Sequence, residues 1–408
     1  MEVRLGYKQT EVGVIPEDWQ VKQLGALVSY TNGKAHEQNI TDYGRYVVVN
    51  SKFISTEGEI RKYSDHCYCP TSVGDVLMVM SDVPNGRAIA KCFWVDKDHT
   101  YTVNQRICAL HPRQIDGKLL FYKLDRNPFY LAFDDGVKQT NLRKDDVLSC
   151  PLGIPKSDDE QCAIAGALGD ADVLLGALDK LIIKKRDLKQ AAMQQLLTGQ
   201  TRLHGFSGTW PVVKLGSLVR HHNAGVYKKK ELYGKGCNIV GVADLYDIHY
   251  VGDQTFAQVP LSDKEREEYS LEKNDLLYAE SSLVQEGIAR TVYVTQEGAG
   301  TAFAWHTRRF RVDEGSLLPN YLYYYLQSPA ARAHMIQNSI QTAITGINTT
   351  SYFACPVPLP SIPEQNAIAG VLSDMDAELA ALEQRLAKTR ALKQGMMQEL
   401  LTGRVRLV

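Results

Sequence analysis

Two mixed α/β globules alternating with two long, antiparallel coiled-coil helices are the architecture that this amino-acid sequence predicts. Three observations predict it. A helical segment of 44 residues occurs twice, the stretches before each copy echo one another, and those stretches carry short β-branched or aromatic runs bounded by turn residues.

The repeated segment comes first. EQCAIAGALGDADVLLGALDKLIIKKRDLKQAAMQQLLTGQTRL, from Glu160 to Leu203, returns without a gap as EQNAIAGVLSDMDAELAALEQRLAKTRALKQGMMQELLTGRVRL, from Glu364 to Leu407. About 25 of the 44 positions are identical, which marks a duplicated structural unit rather than shared composition. Ser157 stands three residues before Glu160 and Ser361 three before Glu364, the spacing of a capping box in which the glutamate reaches back to the serine amide. Pro363 falls in the first turn, where its missing N–H costs little. Gly199 and Gly403 can take the left-handed conformation that ends a helix.

Between these signals the apolar residues follow a three-four alternation: Ile164, Leu168, Ala171, Leu175, Leu178 and Ile182, then Ile368, Leu372, Met375, Leu379, Leu382 and Leu386. That is a coiled-coil seam. It breaks at Lys185 and Lys189, and at Thr389 and Lys393, a polar stretch that either docks a partner or is a stutter in the repeat. A helix from about residue 160 to 199 is roughly 60 Å long at 1.5 Å per residue. Neither helix can bury its seam alone; packing the two together antiparallel satisfies both and is expected to hold the globules at opposite ends of a rod.

The globules carry the second echo. WQVKQLGALV at Trp19 is answered by WPVVKLGSLV at Trp210, VGDVLMV at Val73 by KNDLLYA at Lys273, and LSCPLGIP at Leu148 by FACPVPLP at Phe353. RYVVVNSKFI, DVLMVM, RAIAKCFWV, NIVGVADL, ARTVYVT and FRV read as strands between Gly, Asp, Asn and Pro. LLFYKLDRNPFYLAF and LPNYLYYYLQSPAARAHMI have helical spacing instead. The expected division is 16–155 and 204–360 for the globules, 156–203 and 361–408 for the helices, and 1–15 for an N-terminal segment that completes the pseudo-repeat.

Composition narrows the function. With 408 residues, 44% apolar and 23% charged, the chain can bury two or three cores. No run of about 18 apolar residues suggests a membrane span, and MEVRLGYKQTEVG lacks a secretory apolar stretch, so a cytoplasmic location without a membrane partner is expected. Eight scattered cysteines then read as reduced thiols. His66, Cys67 and Cys69 are the one local cluster, and no second pair completes a metal site. A net charge of −1 requires any nucleic-acid site to be local. Basic clusters do occur, at Lys184, Lys185, Arg186 and Lys189, at Lys228, Lys229 and Lys230, and at Arg308, Arg309 and Arg311, each readable also as a solvated face. There is no phosphate loop, nucleophile elbow or HExxH helix, and NPFY at Asn127 has no upstream glycine-rich cofactor loop, so no catalytic residue is assigned.

Residues competent for recognition lie in turns. SYTNGK, SDVPNGR and KQTNLRK offer Asn32, Lys34, Ser81, Asn85, Arg87, Gln139, Asn141, Arg143 and Lys144. HHNAGVYKKK, ESSLVQEG and QTAITGINTTS offer His222, Lys228, Lys229, Ser281, Ser282, Gln285, Thr345 and Asn348. Arginine can pair with guanine edges, asparagine and glutamine with adenine, and lysine with phosphate.

These residues resemble the specificity subunit of type I restriction-modification systems, the HsdS family. The likeness spans nearly the whole chain and rests on GYKQTEVGVIPEDWQVKQLG, PLPSIPEQNAIAGVL, the endings QQLLTGQTRL and QELLTGRVRL, and the duplicated order of the halves. The resemblance implies two α/β target-recognition domains separated by two antiparallel helices with pseudo-twofold symmetry. It implies a chain without catalytic activity or cofactor, each domain reading one half of a bipartite site in double-stranded DNA. Two modification subunits, carrying S-adenosylmethionine for adenine methylation, would assemble on it, with Lys185, Lys189, Thr389 and Lys393 as candidate docking residues. Restriction subunits would add translocation and cleavage that use ATP and Mg. An autonomous protein-binding scaffold and a self-contained methyltransferase are the competing readings.

Overall fold

Each copy of the repeat folds as one 39-residue helix, Asp158–Leu196 and Ile362–Leu400. In the computed structural model, which describes residues 4–83, 86–341 and 343–407, the chain divides into two units inside these helices. The first unit comprises residues 1–179 and 384–408, the second 180–383. Each therefore owns the N-terminal part of one helix and the C-terminal part of the other.

The seam is used as expected. Ile164 and Leu168 are fully buried in the core of the first unit with Leu400, and Met396 and Leu401 pack against it. Ile368 and Leu372 enter the core of the second with Leu196 and Leu197. Gly199 and Gly403 terminate the helices with φ of 72° and 71°. Gly403 is further constrained, because a Cβ there would lie 2.6 Å from Pro16 Cδ.

The capping boxes are not formed as the sequence suggests. Glu160 N donates to Ser157 Oγ at 3.4 Å, but the Glu160 carboxylate turns away to accept from Trp19 Nε1 and the Arg406 guanidinium. Glu364 likewise receives Trp210 Nε1 at 3.1 Å and Arg202. Both carboxylates are buried, where a full ion pair outweighs a single amide contact. By length and composition alone Asp158–Leu196 is apolar enough to cross a membrane, which by itself does not make it a span. Ile164, Leu168, Leu178 and Ile182 of this helix are buried, and Lys185, Arg186 and Lys189 farther along it form ion pairs.

The globules repeat each other strand by strand. The first unit has a four-stranded antiparallel sheet in the order Val28–Asn32, Ile107–Pro112, Val76–Val79, Cys92–Trp94. A three-stranded sheet joins Tyr46–Val49 in parallel to Tyr101–Val103 and antiparallel to Tyr63–Ser64. The second unit matches the first sheet with Val219–Ala224, Thr307–Val312, Leu276–Ala279 and Thr291–Val294, and adds Tyr250–Val251 as a fifth strand. Its three-stranded sheet pairs Cys237–Val240 in parallel with Ala302–Phe303.

Several strand and helix expectations are shortened. Only Tyr46–Val49 of RYVVVNSKFI is extended; Asn50 Oδ1 accepts from Phe53 N and opens a helical turn, Ser51–Ser55. RAIAKCFWV retains only Cys92–Trp94, since Ala90 sits at φ 55°. The two helical runs break where proline cannot continue them: Gly117–Leu124 stops before Pro128–Leu131, and Pro319–Leu326 before Pro329–Gln337. In the first break Asn127 Oδ1 accepts from Phe129 N, so NPFY is a helix start.

Candidate recognition surface

In the first unit, strand register gathers the candidate turns. Cys108 faces Asn32 and Ile107 faces Val79, so Val28–Asn32 and Val76–Val79 end where Ile107–Pro112 begins. Gly33 N donates to Ile107 O and Met80 N to Arg106 O, which seats the turns beside one another. Ser81–Asp82 then pairs with Thr140–Asn141, bringing in the third turn. Gly33 is required at this junction, because a Cβ would stand 1.9 Å from the Asn104 carbonyl oxygen.

The side chains there form a donor-rich surface. Asn32, Lys34, Arg87, Gln139, Asn141, Arg143 and Lys144 are exposed, and Ser81 is half-buried. Gln139 Nε2 donates to Ser81 Oγ at 2.7 Å, Tyr30 OH to Asn32 Oδ1 at 2.6 Å, and Lys144 Nζ lies 5.6 Å from the Tyr30 ring. The Asp82 carboxylate organises the neighbouring loop by accepting from Val83, Ala88 and Ile89 amides. Asn85 lies outside the described residues.

The second unit repeats the geometry. Ala224 faces Arg308 and Ala279 faces Thr307, so His222, Ser281 and the lysine turn leave the same end of the five-stranded sheet. Ser281–Ser282 pairs with Thr345–Gly346, which brings in the last turn. Gly225 repeats the close approach of Gly33, with a Cβ 2.2 Å from the Ala304 oxygen.

Here several named side chains are committed to structure. Ser282 and Thr345 are 5% and 3% exposed and so support the loop from beneath. Asn348 Oδ1 caps a helical turn by accepting from Ser351 N at 2.8 Å. Lys228 is paired with Glu265 at 2.7 Å, and this bond holds the Glu265 carboxyl down at about 2. His222 and Lys229 remain exposed, with Ser281 and Gln285 half-buried. The arginine cluster is structural too: Arg308 pairs with Glu280, while Arg309 and Arg311 converge on buried Asp275.

Sequence reasoning missed one turn in each unit. Residues 104–106 and 304–306 lie between the recognition turns, held by the Met80–Arg106 bond and by Glu280 N donating to His306 O at 3.0 Å. They precede equivalent strands, so aligning the two halves through Gly33 and Gly225 would have found them.

The polar break in the seam is an ionic lattice within each unit. Lys189 pairs with Asp376, which also accepts from Tyr324 OH at 2.9 Å; Lys393 pairs with Asp172, which accepts from Tyr122 OH at 2.6 Å. Arg186 meets Glu383 at 2.5 Å and Arg390 meets Asp179 at 3.1 Å, again as equivalents. Lys185 meets Glu378 at 2.6 Å, whereas Thr389 donates to its own helix at Arg385 O. Lys189 also borders a cleft of about 990 Å³ in the second unit with His249, Tyr323, Tyr324 and Glu383.

Among the described residues no group of three or more His, Cys, Asp or Glu is placed to hold a metal ion. Cys69 of the His66 cluster is buried, and its thiol donates to Asn32 O at 3.7 Å.

Comparisons with known proteins align both halves. A model described as type I restriction modification DNA specificity domain matches residues 16–184 and 207–389. The putative type I restriction enzyme MjaX specificity subunit of Methanocaldococcus jannaschii is 24% identical, over 98% of this chain and 97% of its own. The type I restriction enzyme MjaVIII specificity subunit of the same organism is 21% identical over 96% and 94%. In fold the chain is similar to the type I restriction-modification S subunit from M. genitalium, with a TM-score of 0.63 at 16% identity and 98% of each chain covered.

Proposed function

Because the chain belongs to the family of type I restriction-modification DNA specificity proteins, we propose that its two sheet-end surfaces each read one half of a bipartite site in double-stranded DNA. It is a specificity subunit, and the chemistry of such a complex resides in other subunits. The assigned recognition domains are 16–155 and 204–360, with 156–203 and 361–408 as spacer helices and 1–15 completing the repeat. The helices set the gap between half-sites and dock modification subunits, two per chain. S-adenosylmethionine belongs to those subunits, and ATP and Mg to restriction subunits. The complex is assigned to the cytoplasm.

The observation that carries this reading is convergence. Three turns separated by up to about a hundred residues meet at one sheet end, twice, and present amides, hydroxyls and cations to solvent. In the first unit the assigned contacts are Asn32, Lys34, Ser81, Arg87, Gln139, Asn141, Arg143 and Lys144. In the second they are His222, Lys229, Ser281 and Gln285, with Lys228, Ser282, Thr345 and Asn348 shaping the loops. Lys185, Lys189, Thr389 and Lys393 lie where the helices would be gripped; the ion pairs of the three lysines make them positioning groups for that surface, and Thr389 is bonded to its own helix.

Methylome sequencing of a host expressing this chain with its modification partner tests the proposal. Two short methylated half-sites at a fixed separation are expected. Arg87→Ala or Asn141→Ala should change one half-site only, with about 1–3 kcal/mol of lost discrimination for a bidentate contact. An unaltered methylation pattern in both variants would overturn these contacts.

A further inference from the structure

One exposed feature of the second unit is unlike anything at the equivalent place in the first. Tyr227 and Trp305 stand 67% and 50% exposed with ring centroids 6.4 Å apart, edge to face. They are not loosely attached. Val226 N donates to Phe303 O and Trp305 N to Val226 O, both at 2.9 Å, so the pair is fixed to the sheet end that carries His222 and Ser281.

Two further observations give the pair a chemistry. Trp305 Nε1 makes no hydrogen bond among the described residues, leaving a donor at the rim of an apolar plate. Lys229 and Lys230 adjoin Tyr227 in sequence, are exposed, and form no ion pair among the described residues; Glu231 is the one acid in the same turn. In the first unit the corresponding positions are Ala35 and Gln105, and Gln105 Nε2 donates to Glu37 Oε1 at 2.8 Å.

Resting on the DNA-reading function above, we propose that Tyr227 and Trp305 are specificity-determining residues of the second unit and that the base they read is thymine. In the major groove thymine alone offers a C5-methyl group beside an acceptor, O4. An indole ring offers the matching surfaces, an apolar face for the methyl and a single N–H donor for O4. Lys229 and Lys230 supply the adjoining phosphate contacts, which position the aromatic pair without carrying sequence information. The first unit, with Ala35 and Gln105 there, reads a different base at the equivalent step.

The test uses the assembled complex of this chain with its modification subunits, on duplexes carrying its methylated site, with each thymine of both half-sites replaced in turn by deoxyuridine. One replacement should weaken binding by about four-fold, the ~0.8 kcal/mol of one buried methyl group. In Trp305→Gln the intact site should bind about ten-fold more weakly, and that same replacement should have no further effect. Lys229→Gln with Lys230→Gln should instead weaken all sequences alike and flatten the salt dependence. The proposal is overturned if no deoxyuridine effect disappears in Trp305→Gln, or if that variant, with an unchanged melting temperature, keeps the parent's base preference. A parent complex that does not distinguish its site from a scrambled duplex would overturn the DNA-reading function itself, and this inference with it.

Discussion

The two units share a frame of equivalent ion pairs and hydrogen bonds and differ most where they meet solvent. Glu160 with Trp19 and Arg406 corresponds to Glu364 with Trp210 and Arg202. Asp172 with Lys393 and Tyr122 corresponds to Asp376 with Lys189 and Tyr324. Even Gln161 and Gln365 make the same contacts, each donating to the carbonyl of Pro155 or Pro360 and accepting from the amide of Asp116 or Leu318. Against this, the turns that leave the sheets share little beyond Gly33 and Gly225. A duplicated frame fixes the sheet ends, and the side chains hung on them are free to diverge, which suits the proposal that each unit reads its own half-site.

The glutamate anchors offer the strongest way to break the equivalence. Removing one member of a buried ion pair costs about 3–5 kcal/mol when the other charge stays trapped. Arg406 keeps a second partner, since its Nη2 lies 2.7 Å from Asp18. Arg202 keeps no second carboxylate among the described residues, just the carbonyls of Ser207 and Gly208 and the face of the Trp210 ring, 5.0 Å away. Glu364→Ala should therefore destabilise by about 3 kcal/mol and Glu160→Ala by ~2 kcal/mol, read from urea midpoints. Asp18→Ala combined with Glu160→Ala should close the gap; equal single-mutant costs would show that Asp18 contributes nothing.

A second, smaller effect comes from the core position where the units part company. Tyr325 donates its hydroxyl to Pro356 O at 2.6 Å, but its counterpart is Lys123, whose Nζ donates to Gly153 O and, at 2.6 Å, to Leu401 O. Among the described residues no carboxylate is paired with this amine; besides the two carbonyls, the Trp19 ring lies 4.8 Å away. Burial alone pushes the Lys123 ammonium down to about 7. The unfolded amine titrates near 10.4, so between these values the unfolded chain holds the extra proton and stability rises with pH. From pH 7 to 9 the parent should gain about 2 kcal/mol relative to Lys123→Met, which removes the titrating group. Parallel stability curves for the two proteins would overturn the assignment of a neutral amine.

What the sequence made legible was local. The 3.6-residue period gave both helices, and glycine at the left-handed positions gave their ends. The partners of the charged residues were not legible, because Asp376 lies 187 positions from Lys189 and Asp172 lies 221 from Lys393. From sequence the polar break therefore reads as either a docking stretch or a stutter, with its intramolecular partners unseen. The same distance hid the true partner of Glu160, for Arg406 stands 246 positions away, while a nearby serine offered a plausible local alternative. At the recognition surface, turn composition located three of the four converging segments in each unit. Residues 104–106 and 304–306 escaped because they sit between strands without proline or glycine, and only register places them beside the other turns.

The smallest expected effect tests the equivalence where it lapses on the helices themselves. Lys185 and Glu378 form a pair at 2.6 Å, and the repeat places Thr389 and Leu174 at the corresponding positions. Both members of the pair are partly exposed, at 29% and 48%, so solvent screens most of their attraction. A double-mutant cycle with Lys185→Thr and Glu378→Leu should return a coupling of about 0.5 kcal/mol, falling further at high salt. Installing Thr389→Lys with Leu174→Glu should recover a similar coupling in the first unit, since the helix frame there is already built to the same plan. Leu174 is 39% exposed, so the change fills no core space and leaves no cavity. A coupling near zero in the first unit, beside a measurable one in the second, would mean that the frame is less alike at this level than its shared ion pairs imply.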